Sequence, residues 1–281
     1  MAFNKNELND TQLMDCVELA FSGGKDSTVL LDIARTLYDF PAVFADTGLE
    51  YPEIKEFVKT KDNVVIVRPK MSFKEVIEKN GYPVISKEQS RYIRDCQNPT
   101  DKNSITRRRR MTGINAKGEQ TKACMISQKW KFVIESGIKV SEQCCDKIKK
   151  EPLKRYSKEN NQFPLIGTMA CESNMREKNY KKQGCILIND KIKQCSPLMF
   201  WREQDIWDYI KLKNLPYASI YDTGVKRTGC IFCMFGVHLE KGENRFEKLS
   251  KSHPQLWDYC MYKLGLKKVL EYINVKTGEK T

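Results

Sequence analysis

The chain has 281 residues, with 49 Lys plus Arg against 36 Asp plus Glu, a formal net charge of +13. Its 40% apolar and 10% aromatic content excludes a disordered polar tail, and its 15 Gly and 10 Pro are too few for collagen-like or low-complexity sequence. No run of eighteen apolar residues occurs and Met1–Asp15 has no apolar signal-peptide core, so the expectation is a cytoplasmic protein with no membrane-spanning helix.

Val17–Phe21 reads as a strand that runs into Ser22-Gly23-Gly24-Lys25-Asp26-Ser27, with an amphipathic helix over Thr28–Tyr38. Pro41–Ala45 is a second strand, ending at Asp46-Thr47-Gly48. Pro52–Lys61 is a helix with Pro in its first turn. Val64–Val67 is a third strand, apolar enough to be buried on both faces. This β-α-β-α-β order with short connections predicts an α/β fold: a doubly wound, mostly parallel sheet with helices on both faces, its ligands outside the carboxyl ends of the strands.

Phe73–Lys79 and Lys87–Asp95 follow as helices. Asn98–Lys122 is rich in Asn, Thr, Ser and Gly, contains Arg107-Arg108-Arg109-Arg110, and reads as a basic mobile insertion. Ser127–Ser136 and Ser141–Tyr156 are helical, Pro164–Met169 and Cys185–Ile188 are strands, and Arg202–Lys211 is a helix with Trp207 and Ile210 on its apolar side. Thr228–Phe235 is a cysteine turn, and Pro254–Ile273 is a closing helix broken at Gly265. The expected organisation is a nucleotide-binding α/β domain over 1–227, with the cysteine turn and helix of 228–281 packed on it.

The turn after the first strand carries the strongest chemical signal. Gly23 and Gly24 permit backbone angles that expose N–H groups to a phosphate. The next helix points its positive end at the same place, and Lys25 adds a full charge. The spacing is neither that of a Walker A loop nor that of a dinucleotide G-x-G-x-x-G turn. Asp46, at the end of the second strand, faces the same crevice, where a carboxylate can orient a ribose, hold Mg²⁺ or position a nucleophile; it also suits a helix cap.

Eleven cysteines in a reducing compartment call for a reason other than disulfides. Cys230-Ile231-Phe232-Cys233 is a C-x-x-C turn, and Cys144-Cys145 is an adjacent pair. Four thiolates from two segments suit an iron–sulfur cluster or zinc. Cys124 and Cys260 are candidate reactive thiols. A pI near 9.1 and the four-arginine run favour an anionic partner.

Ser22–Ser27 (SGGKDS) resembles the PP-loop of the adenine nucleotide α-hydrolase superfamily. Asp46-Thr47-Gly48 with Glu50 and Pro52, and Ser196-Pro197-Leu198 through Trp201 and Asp205 to Tyr209-Ile210, are similar to segments of its phosphoadenylyl-sulfate (PAPS) reductase branch, over roughly residues 17–235. The resemblance implies that Ser22, Gly23, Gly24, Lys25, Asp26, Ser27, Asp46, Thr47, Gly48, Gly167, Ser173 and Arg176 bind ATP or an adenylyl sulfonucleotide. Lys25, Asp26, Asp46 and Arg176 would be catalytic, with Asp26 or Asp46 holding Mg²⁺. The Cys-Cys plus C-x-x-C pattern resembles the 4Fe–4S signature of adenylyl-sulfate reductases, which implies a cluster on Cys144, Cys145, Cys230 and Cys233.

Two departures shape the expected reaction. The E-C-G-L/I-H motif of sulfonucleotide reductases does not occur in these residues. The arginine pair of the family's G-x-R-R-x-x-S-x-x-R segment falls at Met169 and Ala170, leaving Ser173 and Arg176; Met and Ala cannot replace the arginine fork that grips sulfate. The Gly167–Arg176 segment instead looks like the PAPS-reductase-like subunit of DNA phosphorothioation systems. The implied function is sulfur transfer with pyrophosphate release, with nucleic acid as an acceptor. The alternatives are a PAPS or adenylyl-sulfate reductase and a non-catalytic nucleotide-sensing or nucleic-acid-binding subunit. A sulfur-donor protein or thioredoxin is an implied partner.

Overall fold

The computed structural model describes residues 16–188 and 193–278; the reading of Met1–Asp15 lies outside them. The main elements, in chain order, are Val17–Phe21 (β1), Lys25–Arg35 (α1), Ala42–Ala45 (β2), Pro52–Lys59 (α2), Val64–Val67 (β3), Phe73–Asn80 (α3), Val84–Ile85 (β4), Lys87–Gln97 (α4) and Ser104–Thr112 (α5). Then come Glu151–Glu159 (α6), Phe163–Ile166 (β5), Asn174–Gln183 (α7), Ile186–Ile188 (β6), Lys193–Cys195 (β7), Glu203–Leu212 (α8), Met234–Phe235 (β8), Arg245–Ser252 (α9), Pro254–Asp258 (α10) and Leu266–Tyr272 (α11). Among the described residues no helix is long and apolar enough to cross a membrane.

The chain forms two compact units: the chain up to Lys70 with Ile148–Ile231, and Met71–Lys147 with the chain from Phe232 onward. This division differs from the one expected at 227/228. The reason lies in two short strands that lack periodic signal: β4 pairs in parallel with β8, Val84 opposite Met234 and Ile85 opposite Phe235. That pairing joins the middle of the chain to its C-terminal part in one unit.

The first unit is built on a six-stranded sheet in the order β3-β2-β1-β5-β7-β6. All pairs are parallel except β6 with β7. The doubly wound, mostly parallel α/β architecture is therefore present. Leu19, Phe21, Ala42 and Phe44 from the central strands pack with Val29, Leu30 and Leu31 of α1 and with Ile206 and Ile210 of α8. Burial on both faces of the central strands explains the unbroken apolar run of β2 and the apolar residues of β1 on either side of Glu18. β3 departs from expectation. It is an edge strand; none of its residues is fully buried, and Ile66 is 51% exposed. On α8, Ile206 and Ile210 are the buried pair and Trp207 is half-buried, so the apolar stripe is rotated by about one position from the expected one.

The strand order reverses between β1 and β5: β2 and β3 extend to one side of β1, β5 and β7 to the other. Such a reversal opens a crevice beyond the carboxyl ends of the strands. Three chain segments leave adjacent parallel strands at that edge, namely Ser22–Ser27 after β1, Asp46–Gly48 after β2 and Gly167 after β5.

In the second unit, Ser72 opens α3 with a capping box: its side chain accepts from Glu75 N–H while the Glu75 carboxylate accepts from Ser72 N–H at 2.6 Å. Val76, Ile77, Tyr92, Ile93, Ile126, Phe246, Val269 and Leu270 are buried. The segment 98–122, read as a basic mobile insertion, contains regular structure: Ser104–Thr112 is a helix, and Ile114 pairs with Gln120 in a short hairpin. Its polar composition hid a helix that buries no side chain, so there was no apolar periodicity to read. Gln128–Glu135 forms a 3₁₀ segment, and the helix expected over Ser141–Tyr156 starts at Cys144 and passes through a π-turn at Asp146–Lys150. The closing helix is broken at Tyr259–Lys263, a π-turn, and at Gly265, whose φ is 71°.

Candidate functional site

The candidate site begins with the β1–α1 turn. Gly23 has φ 70°, and a Cβ there would stand 2.8 Å from both Ile54 Cγ2 and Val58 Cγ2 of α2. Glycine is thus required twice, for backbone angle and for space. Gly24, as the N-cap of α1, has ordinary angles (φ −78°, ψ 160°). Around it the hydroxyls close a small network: Ser22 Oγ and Ser27 Oγ lie 3.0 Å apart, and Ser27 Oγ–H and Thr28 Oγ1–H each donate to Gly24 C=O at 3.0 Å. The turn is therefore stiff before any ligand arrives.

Lys25 occupies the first turn of α1 and is only 4% exposed. Its Nζ lies 2.7 Å from Asp26 Oδ1 and 3.5 Å from Glu203 Oε1 at the start of α8. Burial opposes its charge, but these carboxylates outweigh burial and hold the ammonium above the ordinary lysine range. A buried, permanently charged cation thus sits at the positive end of a helix. The Lys25 backbone N–H donates to Tyr221 OH at 2.9 Å, and Tyr221 OH lies 2.9 Å from Thr228 Oγ1. Burial pushes the Tyr221 phenol up, so it stays protonated at neutral pH.

Gly167 approaches this turn closely. A Cβ on it would lie 3.2 Å from Asp26 C=O oxygen and 3.3 Å from Ser27 N. The structure thus brings Ser22–Ser27 and Gly167 together. Asp46 stands after the neighbouring strand, but its carboxylate is already engaged: Lys55 Nζ is 2.8 Å from Oδ1 and Arg68 Nε 3.3 Å from Oδ2. Burial raises its pKa less than Lys55, Arg68 and the Gly48 N–H lower it, so it lies below the usual carboxylate range. Thr47 N–H donates to Glu50 Oε2 at 3.1 Å, which fixes the turn after β2.

Arg176 and Ser173 serve the local fold of α7. Ser173 Oγ caps the helix by accepting from Arg176 N–H at 3.2 Å, and the Arg176 guanidinium pairs with Glu172. Glu172 also accepts from Met169 N–H at 2.9 Å. The guanidinium is 41% exposed, so a phosphate would have to compete with Glu172 for it.

The four candidate cluster thiols are divided. Cys144, Cys145 and Cys233 belong to the second unit, and Cys230 is the penultimate residue of the first. Burial pushes the Cys233 thiol up, and Cys145 lies near enough to add to this by charge repulsion. Four thiols are soft donors of the kind that hold zinc or iron–sulfur centres, so the donor chemistry suits a metal. A closed ligand set is not present, however: among the described residues no group of three or more His, Cys, Asp or Glu is close enough to hold a metal ion.

Sequence reasoning missed Tyr221, Thr228 and Glu203. Tyr221 is 196 positions from Lys25, within the aromatic group of Trp207 and Tyr217, and no local motif marks it. Glu203 resembles any acidic residue opening a helix.

A doubly wound sheet with a glycine-rich turn at its point of reversal and a buried lysine on the next helix defines an α/β protein of the open-sheet class. Residues 17–106 and 87–235 match the phosphoadenosine phosphosulfate reductase domain, and the chain belongs to that family. Two uncharacterized proteins of Methanocaldococcus jannaschii are each 27% identical to it, over 86% of this chain but 46% and 40% of their own lengths. The chain spans less than half the length of these relatives. An adenosine 5′-phosphosulfate reductase of Geobacillus kaustophilus is 27% identical over 78% of this chain and 73% of that protein. A crystal structure of PAPS reductase from Candida auris, in a phosphate complex, is similar with a TM-score of 0.45 and 16% identity, over 82% of this chain and 97% of that one.

Proposed function

We propose that the first unit binds the anionic tail of an adenine nucleotide at Ser22–Ser27 and that the chain uses ATP in sulfur transfer, releasing pyrophosphate. The observation that carries this reading is Lys25: a buried cation held charged by Asp26 and Glu203, at a helix N-terminus, behind a stiff glycine turn. In this reaction a nucleophile attacks the α-phosphorus. The bond to the bridging oxygen of the β-phosphate breaks, and pyrophosphate leaves with the electron pair. Lys25 and the first N–H groups of α1 face the charge that develops on the leaving group. Phosphate would draw Lys25 away from Asp26, releasing that carboxylate toward solvent.

No step is routed through a metal. Asp46 is already neutralised by Lys55 and Arg68 and is a poor Mg²⁺ ligand as it stands. We assign the proposed 4Fe–4S cluster to Cys144, Cys145, Cys230 and Cys233 on donor chemistry; four soft sulfurs favour iron–sulfur over harder cations. Iron and acid-labile sulfide in anaerobically purified protein, and their loss in Cys145→Ser, would support it; full-length folded protein without iron removes it.

The second reading is reduction of adenylyl sulfate or PAPS. Met169 and Ala170 in place of an arginine pair, and the engagement of Arg176 by Glu172, favour ATP over a sulfonucleotide. One assay separates the readings. ATP, adenylyl sulfate and PAPS are each supplied to the protein, with thioredoxin and dithiothreitol as reductant, and pyrophosphate and sulfite are measured. Pyrophosphate from ATP alone is the expected result. Sulfite from either sulfonucleotide replaces this reading with the second, and tight nucleotide binding without any product leaves a sensor.

A further inference from the structure

The chain's positive charge is concentrated in one stretch. Between Arg91 and Lys131 there are eleven Lys and Arg against three Asp and Glu, a net +8 of the chain's +13. The whole stretch belongs to the second unit, and its centre is α5, Ser104–Thr112, with four consecutive arginines. This helix buries no side chain, so it contributes little to a core. It also sets Arg107 and Arg110 three residues apart on one face, where like charges repel. A helix of this composition needs a reason outside the fold.

The arginines divide into two groups. Arg110 is structural: its Nε lies 3.3 Å from Asp95 Oδ2, its NH1 donates to Cys124 C=O at 3.0 Å, and its guanidinium lies 3.7 Å from the centre of the Tyr92 ring. Those contacts fasten the helix to α4. Arg108 is exposed and Arg107 half-buried, and Arg108 donates to Asn115 C=O at 3.1 Å, which ties the following hairpin to the helix. The hairpin is closed by Asn115 N–H to Glu119 C=O at 3.0 Å and carries Lys117 at its tip, before Gly118 at φ 84°. Lys102, Arg107, Arg108, Lys117 and Lys122 have no ion-pair partner among the described residues. The acids of the stretch are few, and Asp95 is consumed by Arg94 and Arg110.

We infer that α5 and the Ile114–Gln120 hairpin form a docking surface for the phosphate backbone of a nucleic-acid duplex. Guanidinium forks match phosphate oxygens, and a rigid basic helix places them without ordering cost. A single helix such as α5, about 10–12 Å across with its side chains, matches the roughly 12 Å width of the major groove of B-form DNA. A duplex is favoured over a single strand because no aromatic residue occurs from Ser104 to Lys122, and single-strand sites need ring platforms on which bases stack. The basic surface does not depend on the nucleotide site; each can fail alone.

The test uses the full chain and fluorescence anisotropy with a labelled 20-base-pair DNA of arbitrary sequence, the matching RNA duplex, and the single strand, from low to moderate salt. The expected result is duplex binding that weakens steeply with salt. Replacing both arginines (Arg107→Ala with Arg108→Ala) should lower affinity about tenfold or more at low salt and reduce the log–log salt slope by about 2. Lys211→Ala with Lys213→Ala, an equal charge loss in the other unit, should leave the slope as it is. The two duplexes tell whether B-form or A-form geometry is preferred. An unchanged slope in the arginine variant, tighter binding of the single strand, or polyglutamate bound as tightly as duplex would each overturn the inference. Circular dichroism and a urea melt matching the parent show that the variant remains folded.

Discussion

Gly23 and Gly24 are adjacent in one motif, yet the structure gives them different roles, and alanine substitution separates the two. At Gly23 the cost comes from the fold. A left-handed backbone angle (φ 70°) costs an L-residue roughly 1–2 kcal/mol. The new Cβ, 2.8 Å from two methyl groups of α2, adds about 1–3 kcal/mol of overpacking. Gly23→Ala should therefore destabilise the protein by about 2–5 kcal/mol. At Gly24 the backbone is already in a region open to alanine. The added Cβ would lie 3.0 Å from Thr228 Oγ1 and 3.1 Å from Tyr221 OH, pressing on the phenol that holds Lys25 N–H. Gly24→Ala should cost under about 1 kcal/mol of stability, since a side chain can move aside, but should weaken nucleotide binding at least about tenfold. Urea denaturation followed by circular dichroism gives the first quantity and calorimetric titration with ATP the second. If the two variants lose equal stability, or if Gly24→Ala binds ATP as tightly as the parent, the assignment of fold to one glycine and ligand to the other is wrong.

Other consequences follow from the same contacts. Lys25→Ala removes the loop cation and leaves Asp26 facing Glu203 unneutralised; ATP affinity should fall about 10- to 100-fold, and an unaltered titration would show that phosphate does not visit the turn. Glu18 on β1 is 1% exposed; burial, opposed by its hydrogen bond from Ser157, pushes it up to about 7. Because the folded value lies above the unfolded one, its carboxyl favours the fold below about pH 4.5 and that contribution is lost as pH rises through 7, up to about 3 kcal/mol. Glu18→Gln should flatten the stability curve between those pH values, and an unchanged curve in urea melts would contradict it. The Cys124 thiol is held low by its hydrogen bond with Tyr92, then by Arg110 and Arg109, whereas burial pushes Cys260 up to about 12. Iodoacetamide at pH 7 should modify Cys124 well before Cys260, and Tyr92→Phe should slow it; equal rates by mass spectrometry would refute the electrostatic account.

What the sequence disclosed depends on whether a signal is local. β1, β2 and β3 are short and mostly apolar and α1 and α2 are periodic, so the sheet of the first unit was readable from them, and the SGGKDS turn named its own place at the first strand's end. α5 has no periodicity because nothing is buried on it, and β4 and β8 are two residues each; only their pairing across the chain makes them strands. The division into units was hidden with them. The same distinction governs the site. Gly23 and Lys25 could be found from their neighbours, while Tyr221 and Glu203 reach the turn through tertiary packing alone.

That packing changes what the motif means. A PP-loop read as sequence is a set of donors awaiting phosphate. In the folded unit several of these groups already have partners: Lys25 Nζ is held by Asp26 and Glu203, and Lys25 N–H by Tyr221. A nucleotide must therefore exchange these contacts rather than fill unused donors, so binding includes displacement of at least one carboxylate. Glu203→Gln removes one competitor without touching the loop. Under this view it should tighten ATP binding, at most severalfold, because the Lys25–Glu203 contact is long at 3.5 Å and Glu203 is 56% exposed. Weaker binding in that variant would mean that Glu203 positions the lysine for phosphate rather than competing for it.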